Sequence, residues 1–189
     1  GEREMTAMTT GVSPHIRSGR TTQRVMLDVL IALCPALIAS VVIFGFRSLL
    51  VVAFSAANCV LLETVWNRLM KKTDTVSDLS AVVTGGLIAF NVPVTMPLWQ
   101  LMVGDFIAII IVKMLFGGIG CNFINPAMAG RVSMMLSFTT SMTAYQTSVA
   151  KVDVLSSATP LSAIADKTLH IDSLLPLLLG QHGGMLGET

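Results

Sequence analysis

The sequence has 189 residues, 53% of them hydrophobic and only 12% charged, with a net charge of +1. Soluble domains carry about 45–50% apolar and about 25% charged residues, so this chain has too little polar surface to cover a globule in water, and its mean hydropathy of +0.75 agrees. No basic run exceeds two residues, which argues against a nucleic-acid surface, and Cys34, Cys59 and Cys121 stand far apart with no C-x-x-C, which excludes a disulfide framework or a self-contained iron–sulfur or zinc site.

Residues 1–24 are polar, with Arg3, Arg17, Arg20 and Arg24 but no apolar core of the kind a signal peptide needs. Apolar stretches follow at Val25 to Phe46 and at Ser48 to Trp66. Each is close to the roughly 20 residues that cross about 30 Å of hydrocarbon. A polar linker, Asn67 to Asp78, leads into a shorter apolar segment, Leu79 to Val92, which holds Gly85-Gly86 and stops at Pro93. Pro97 to Phe116 is again long enough to span. The glycine-rich run Gly117 to Pro126 and a second short segment, Ala127 to Phe138, come next. Short segments interrupted by Gly and Pro predict broken helices whose free backbone groups are satisfied inside protein. Thr139 to Asp172 is polar and rich in Ser and Thr, and an apolar patch from Leu174 to Leu179 follows it.

The pattern predicts an all-α polytopic membrane protein with about five transmembrane segments, two of them short or broken. Its divisions are an N-terminal cytoplasmic segment (1–24), a helical membrane domain (25–138), an extracytoplasmic segment (139–173), and the start of a further membrane half (174–189). Lys and Arg set the orientation. Four arginines precede the first span and Arg68, Lys71 and Lys72 follow the second, whereas only Arg47 lies between them. The N-terminus and the 67–78 linker are therefore expected in the cytoplasm, and the segment after Phe138 on the outer face.

Charges inside apolar segments are costly, about 2.5–3.5 kcal/mol at a helix centre on insertion scales. Asp105 and Arg131 are on that ground candidates for an ion path, together with Asn122 and Asn125 of the glycine-rich run, which also suit helix capping. Asp28, one turn from Arg24, reads as a local pair, and Glu63 as another charge near a cytoplasmic helix end. Lys113 is expected to snorkel from a helix end, and Trp66 and Trp99 to anchor at the interface. His15, His170 and His182 have no metal-ligand spacing. In the polar segment, Thr159-Pro160 reads as an N-cap with proline at the first helical position. A hydroxyl there also sits where free N–H groups and the helix dipole favour phosphate.

The run Asp153-Val154-Leu155-Ser156-Ser157-Ala158-Thr159-Pro160-Leu161 is similar to the S-[GS]-A-T-P-L flavinylation motif of the D subunit of Rnf electron-transport complexes and of its quinone-reductase relatives. Ser157 stands where that family usually has glycine. Ser13-Pro14-His15-Ile16-Arg17 resembles the S-P-H-x-R entry of the Rnf D subunit in particular. Gly117 to Ala127 resembles the family's G-G-x-G-x-N-x-x-N-P-A loop, and Ser77 to Gly85 also fits its pattern. These runs occur in family order between residues 13 and 161.

The resemblance implies a urea-channel-like fold built from inverted repeats, of which this sequence looks like the first half, cut off partway. It implies FMN bound covalently by a phosphoester to Thr159, with Asp153, Ser156, Ser157 and Ala158 as motif neighbours. It also implies a redox-driven pump moving electrons between ferredoxin and NAD and coupled to Na⁺ or H⁺ transport. Iron–sulfur, NADH-binding and second flavin-bearing subunits are then the expected partners, in a prokaryotic cell membrane. The competing expectation is a small-solute channel of the same fold without redox chemistry.

Overall fold

The computed structural model describes residues 21–71, 76–145 and 184–187, and among them every regular element is helical. Helix α1 (Thr22–Phe44) and helix α2 (Phe46–Leu69) are both long and apolar enough to cross a membrane. Thr21 caps α1, its side chain accepting from the Arg24 N–H. Only Gly45 separates the two helices. Its φ of 80° is one that L side chains rarely adopt, and Ser48 steadies the turn by donating to the Gly45 carbonyl at 2.8 Å. α1 folds back along α2, touching α3 and the 3₁₀ turn Val76–Asp78 at the far end.

Helix α3 (Ser80–Phe90) has only 11 residues, about 16 Å of helix at 1.5 Å per residue. The chain continues from Asn91 to Pro97 without helix, because Pro93 and Pro97 cannot extend one and push their preceding residues towards extended conformations. This irregular stretch is packed inside protein: Val92, Val94 and Met96 are buried. Its carbonyls are satisfied one by one. Gly187 N–H donates to Phe90 O and Leu186 N–H to Val92 O; Arg47 donates from Nε to Val94 O at 2.9 Å and from Nη2 to Thr95 O. The broken helix read from the sequence is thus observed, with its open backbone groups met by the 184–187 segment and by Arg47.

Helix α4 (Leu98–Phe106) runs without a break into a π-helical stretch, Ile107–Met114. Two i→i+5 bonds close it, Leu115 N–H to Ile110 O and Gly118 N–H to Lys113 O. After the glycine-rich loop, helix α5 (Pro126–Ser137) begins with Asn125 as N-cap and Pro126 at the first turn. A short helix α6 (Thr139–Met142) follows.

The ends of these elements alternate. Gly45, Arg47, Val94 and Thr95 lie at one end, where Thr95 also donates to Ala144 O at 2.7 Å. Glu63, Ser80 and Lys113 meet at the other. Small residues let the helices close up. A Cβ on Gly85 would lie 2.7 Å from Ala56 Cα and from Ser55 O, and one on Gly130 2.9 Å from Gly104 O. Between helices in lipid there is little hydrophobic force, so this close backbone packing holds the bundle. α3 is nearly all buried at its centre, whereas α1 turns large apolar side chains such as Ile31, Ile38 and Val42 outwards.

Candidate functional site

Helix α2 carries its polar residues as a stripe. Ser55, Asn58, Cys59 and Glu63 recur at spacings of three and four, so they share one face, and that face meets α3 and α4. Two clusters form along it. At the first, Lys113 Nζ lies 2.8 Å from Glu63 Oε2 and 2.6 Å from Ser80 Oγ, with both charged side chains almost wholly buried. Ser80 is in turn held in the first turn of α3, where Thr84 donates to its carbonyl.

At the second cluster, Asp105 is completely buried on α4. Ser55 Oγ lies 2.8 Å from its Oδ1 and 2.9 Å from the Gly85 carbonyl oxygen, and Asn58 Nδ2 donates to its Oδ2 at 2.9 Å. The missing side chain of Gly85 allows α3 to come close enough for its carbonyl to reach Ser55. Cys59, also buried, lies between the two clusters on the α2 stripe.

The π-helical stretch is what aligns both clusters with α2. At about 100° per residue, the eight positions from Asp105 to Lys113 would leave the side chains roughly 80° apart. Turns that take up roughly one extra residue bring them back to within roughly 20°. Such turns often mark functional sites in helices.

The other sequence candidates fall elsewhere. Arg131 on α5 donates to Asn91 Oδ1 at 2.9 Å, beside the C-terminus of α3 where a cation also suits the helix dipole. Asn125 accepts from the Ala127 N–H at 3.0 Å. With its side-chain nitrogen turned towards them, Asn122 donates to the Gly118 and Val112 carbonyls at 3.1 and 3.2 Å. Both asparagines therefore act as helix-end caps. They also border an open depression of about 420 Å³ with Gly120, Phe123, Ile124 and Pro126. Lys113 does not snorkel as the sequence led us to expect; the buried Glu63 draws it inwards. Trp99 is exposed, stacking edge-on with Phe138, while Trp66 is partly buried. Thr159, Asp153, Ser156, Ser157 and Ala158, like His15 and the entry run around it, lie outside the described residues.

The sequence pattern of the NQR2, RnfD, RnfE family matches residues 9–189. This chain belongs to that family. It is 44% identical over 186 residues to the D subunit of the Na(+)-translocating ferredoxin:NAD(+) oxidoreductase complex of Acetobacterium woodii, covering 96% of this chain and 58% of that protein. It is 33% identical over 189 residues to the D subunit of the proton-translocating ferredoxin:NAD(+) oxidoreductase complex of Clostridium ljungdahlii, covering 94% and 56%. To the D subunit of the ion-translocating oxidoreductase complex of Actinobacillus succinogenes it is 38% identical over 135 residues, 70% of this chain and 38% of that one. The chain thus spans a little more than half the length of the first of these relatives. As a member of the NQR2, RnfD, RnfE family with two membrane-length apolar helices, it is a membrane protein.

The residues that sequence reasoning missed are Ser55 and Asn58, small polar residues inside an apolar run; Ser80 and Gly85 stood out in the sequence only as part of the Ser77 to Gly85 run, without a site role. The recurrence of polar side chains at 55, 58, 59 and 63 on one helical face was a signal available in the sequence.

Proposed function

We propose that this chain is the membrane D subunit of an Rnf-type complex that couples electron transfer between ferredoxin and NAD to Na⁺ or H⁺ movement, and that Thr159 carries its FMN. The observation that carries this reading is the family match across residues 9–189, which takes in the Ser156-Ser157-Ala158-Thr159-Pro160-Leu161 run. The donor chemistry fits. Thr159 offers a hydroxyl able to hold a phosphoester, and Pro160 after it favours a helix start, where N–H groups stabilise the phosphate charge. FMN, when bound, supplies electron transfer, and the protein's share is to anchor and orient it. Ferredoxin- and NAD-binding chemistry then belongs to other subunits, since the sequence has no cysteine cluster or dinucleotide fingerprint.

The alternating ends of the five elements support five crossings and the urea-channel-like, inverted-repeat reading. With Arg24 and Arg68 at one end and Arg47 at the other, the positive-inside rule turns the Gly45–Thr95–Ala144 end outwards. The chain that leads on to Thr159 then starts from the outer face. The channel alternative is less well supported, because the irregular stretch after α3 is filled by Val92, Val94 and Met96 and its carbonyls are bonded within protein.

The test is ultraviolet fluorescence of the band after denaturing electrophoresis, on protein made in a host with flavin-transfer machinery. The wild-type band should fluoresce and the Thr159→Val band should be dark. A dark wild-type band in such a host contradicts the assignment.

A further inference from the structure

At Ser55 in the Asp105 cluster one proton faces two acceptors. Ser55 Oγ lies within hydrogen-bond distance of two acceptor oxygens, Asp105 Oδ1 at 2.8 Å and Gly85 O at 2.9 Å. A serine hydroxyl has one proton to donate and two lone pairs with which to accept. Ser55 cannot serve both with its single proton: when it gives that proton to the Gly85 carbonyl, the contact with Asp105 needs a proton of its own. The Cys59 thiol hydrogen-bonds the carboxyl group from another side, and across the Ser55 contact Asp105 is the group that can provide that proton. Its other oxygen, Oδ2, is already the acceptor for Asn58 Nδ2, the pattern of a neutral carboxylic acid: one O–H that donates and one C=O that accepts.

Charge balance leads to the same answer. Asp105 is completely buried, and among the described residues no Lys, Arg or His pairs with it. Among the described residues, the titratable side chain that touches it from the packed helices is the Cys59 thiol of α2, a hydrogen-bond partner. Lys113, on the same helix, is committed to Glu63 and Ser80, and Arg131 of α5 is turned to Asn91. α3 presents a carbonyl. An ionised carboxylate without a counter-charge would be very costly in this setting.

We infer that Asp105 is a proton-binding site, held as the neutral acid in a chain that runs from Asp105 Oδ1–H to Ser55 Oγ–H to the Gly85 carbonyl. The inference stands on the geometry of α2, α3 and α4 alone and holds whether or not Thr159 carries flavin. It also links the proton to packing. On loss of the proton the Ser55 hydroxyl can turn from Gly85 to the carboxylate, and the charge left behind sits where α3 lies against Ala56 with no room for a Cβ.

Infrared spectroscopy of the full subunit in its membrane complex at neutral pH tests this. The wild-type minus Asp105→Asn difference should contain a carboxylic-acid C=O stretching band. In Ser55→Ala that band should persist and shift to higher frequency, because the acid loses its hydrogen-bond acceptor. Ser55→Ala compared directly with wild type gives the same reading should Asp105→Asn fail to assemble. A difference made only of carboxylate stretching bands, whether or not they respond to Na⁺, would overturn the inference. So would an acid band indifferent to Ser55→Ala.

Discussion

Two buried acidic residues sit along one polar stripe of α2, Glu63 as part of it and Asp105 facing it from α4, and they are neutralised by different means. Glu63 meets a cation, Lys113, brought from 50 positions away in sequence. Among the described residues Asp105 meets neutral partners, the Ser55 hydroxyl, the Asn58 amide and the Cys59 thiol. A buried ion pair is internally balanced and has little reason to exchange protons, whereas a lone carboxyl group is balanced only by something that can leave. The bundle thus separates a permanent electrostatic tie between α2 and α4 from a site whose charge can change.

The same amide-for-acid substitution should give opposite results at the two sites. Glu63→Gln leaves the Lys113 ammonium buried without a counter-charge among the described residues. It should lower stability by about 3–5 kcal/mol, the cost of removing one partner of a buried pair. Thermal unfolding of the membrane-extracted protein measures this, and replacing both members with apolar residues should recover most of the loss. A Glu63→Gln protein as stable as wild type would erase the contrast between the sites.

Gly85→Ala should come next, at about 1–3 kcal/mol for overpacking, because its Cβ meets the Ala56 and Ser55 backbone. The disturbance should appear at Asp105, and thiol-reagent labelling of the buried Cys59, which touches it, should be faster in Gly85→Ala than in wild type. Asn125→Ala lies outside both sites and should cost about 1 kcal/mol, through loss of the α5 N-cap. Asp105→Asn should have the smallest effect, under about 1 kcal/mol, since an amide keeps both a donor for Ser55 and an acceptor for Asn58. A loss as large as that of Glu63→Gln would mean that Asp105 is charged in the folded protein.

Much of this architecture was legible in the sequence because lipid imposes simple rules on it. Apolar runs located α1 and α2 to within a few residues, Pro93 closed the run that holds α3, Pro97 opened the one that holds α4, and Asn125-Pro126 announced the start of α5. The partnership of Lys113 was hidden. Its position near the end of an apolar run pointed to snorkelling, and only the packing of α4 on α2 reveals Glu63 beside it. The π-helical stretch was hidden as well, since Ile107 to Met114 reads as ordinary apolar helix while its extra residue decides which way Lys113 faces. Ser55 and Asn58 drew no notice because isolated small polar residues are common in membrane helices. The flavin motif is the reverse case: plain in the sequence, and outside the described residues.

The most direct test of the account is the mass of the tryptic peptide covering residues 152–167, released after Lys151 and Lys167, from the working complex. The account predicts that this peptide carries the added mass of FMN in phosphoester linkage, localised by fragmentation to Thr159. An unmodified peptide at full occupancy in an electron-transferring complex would contradict it.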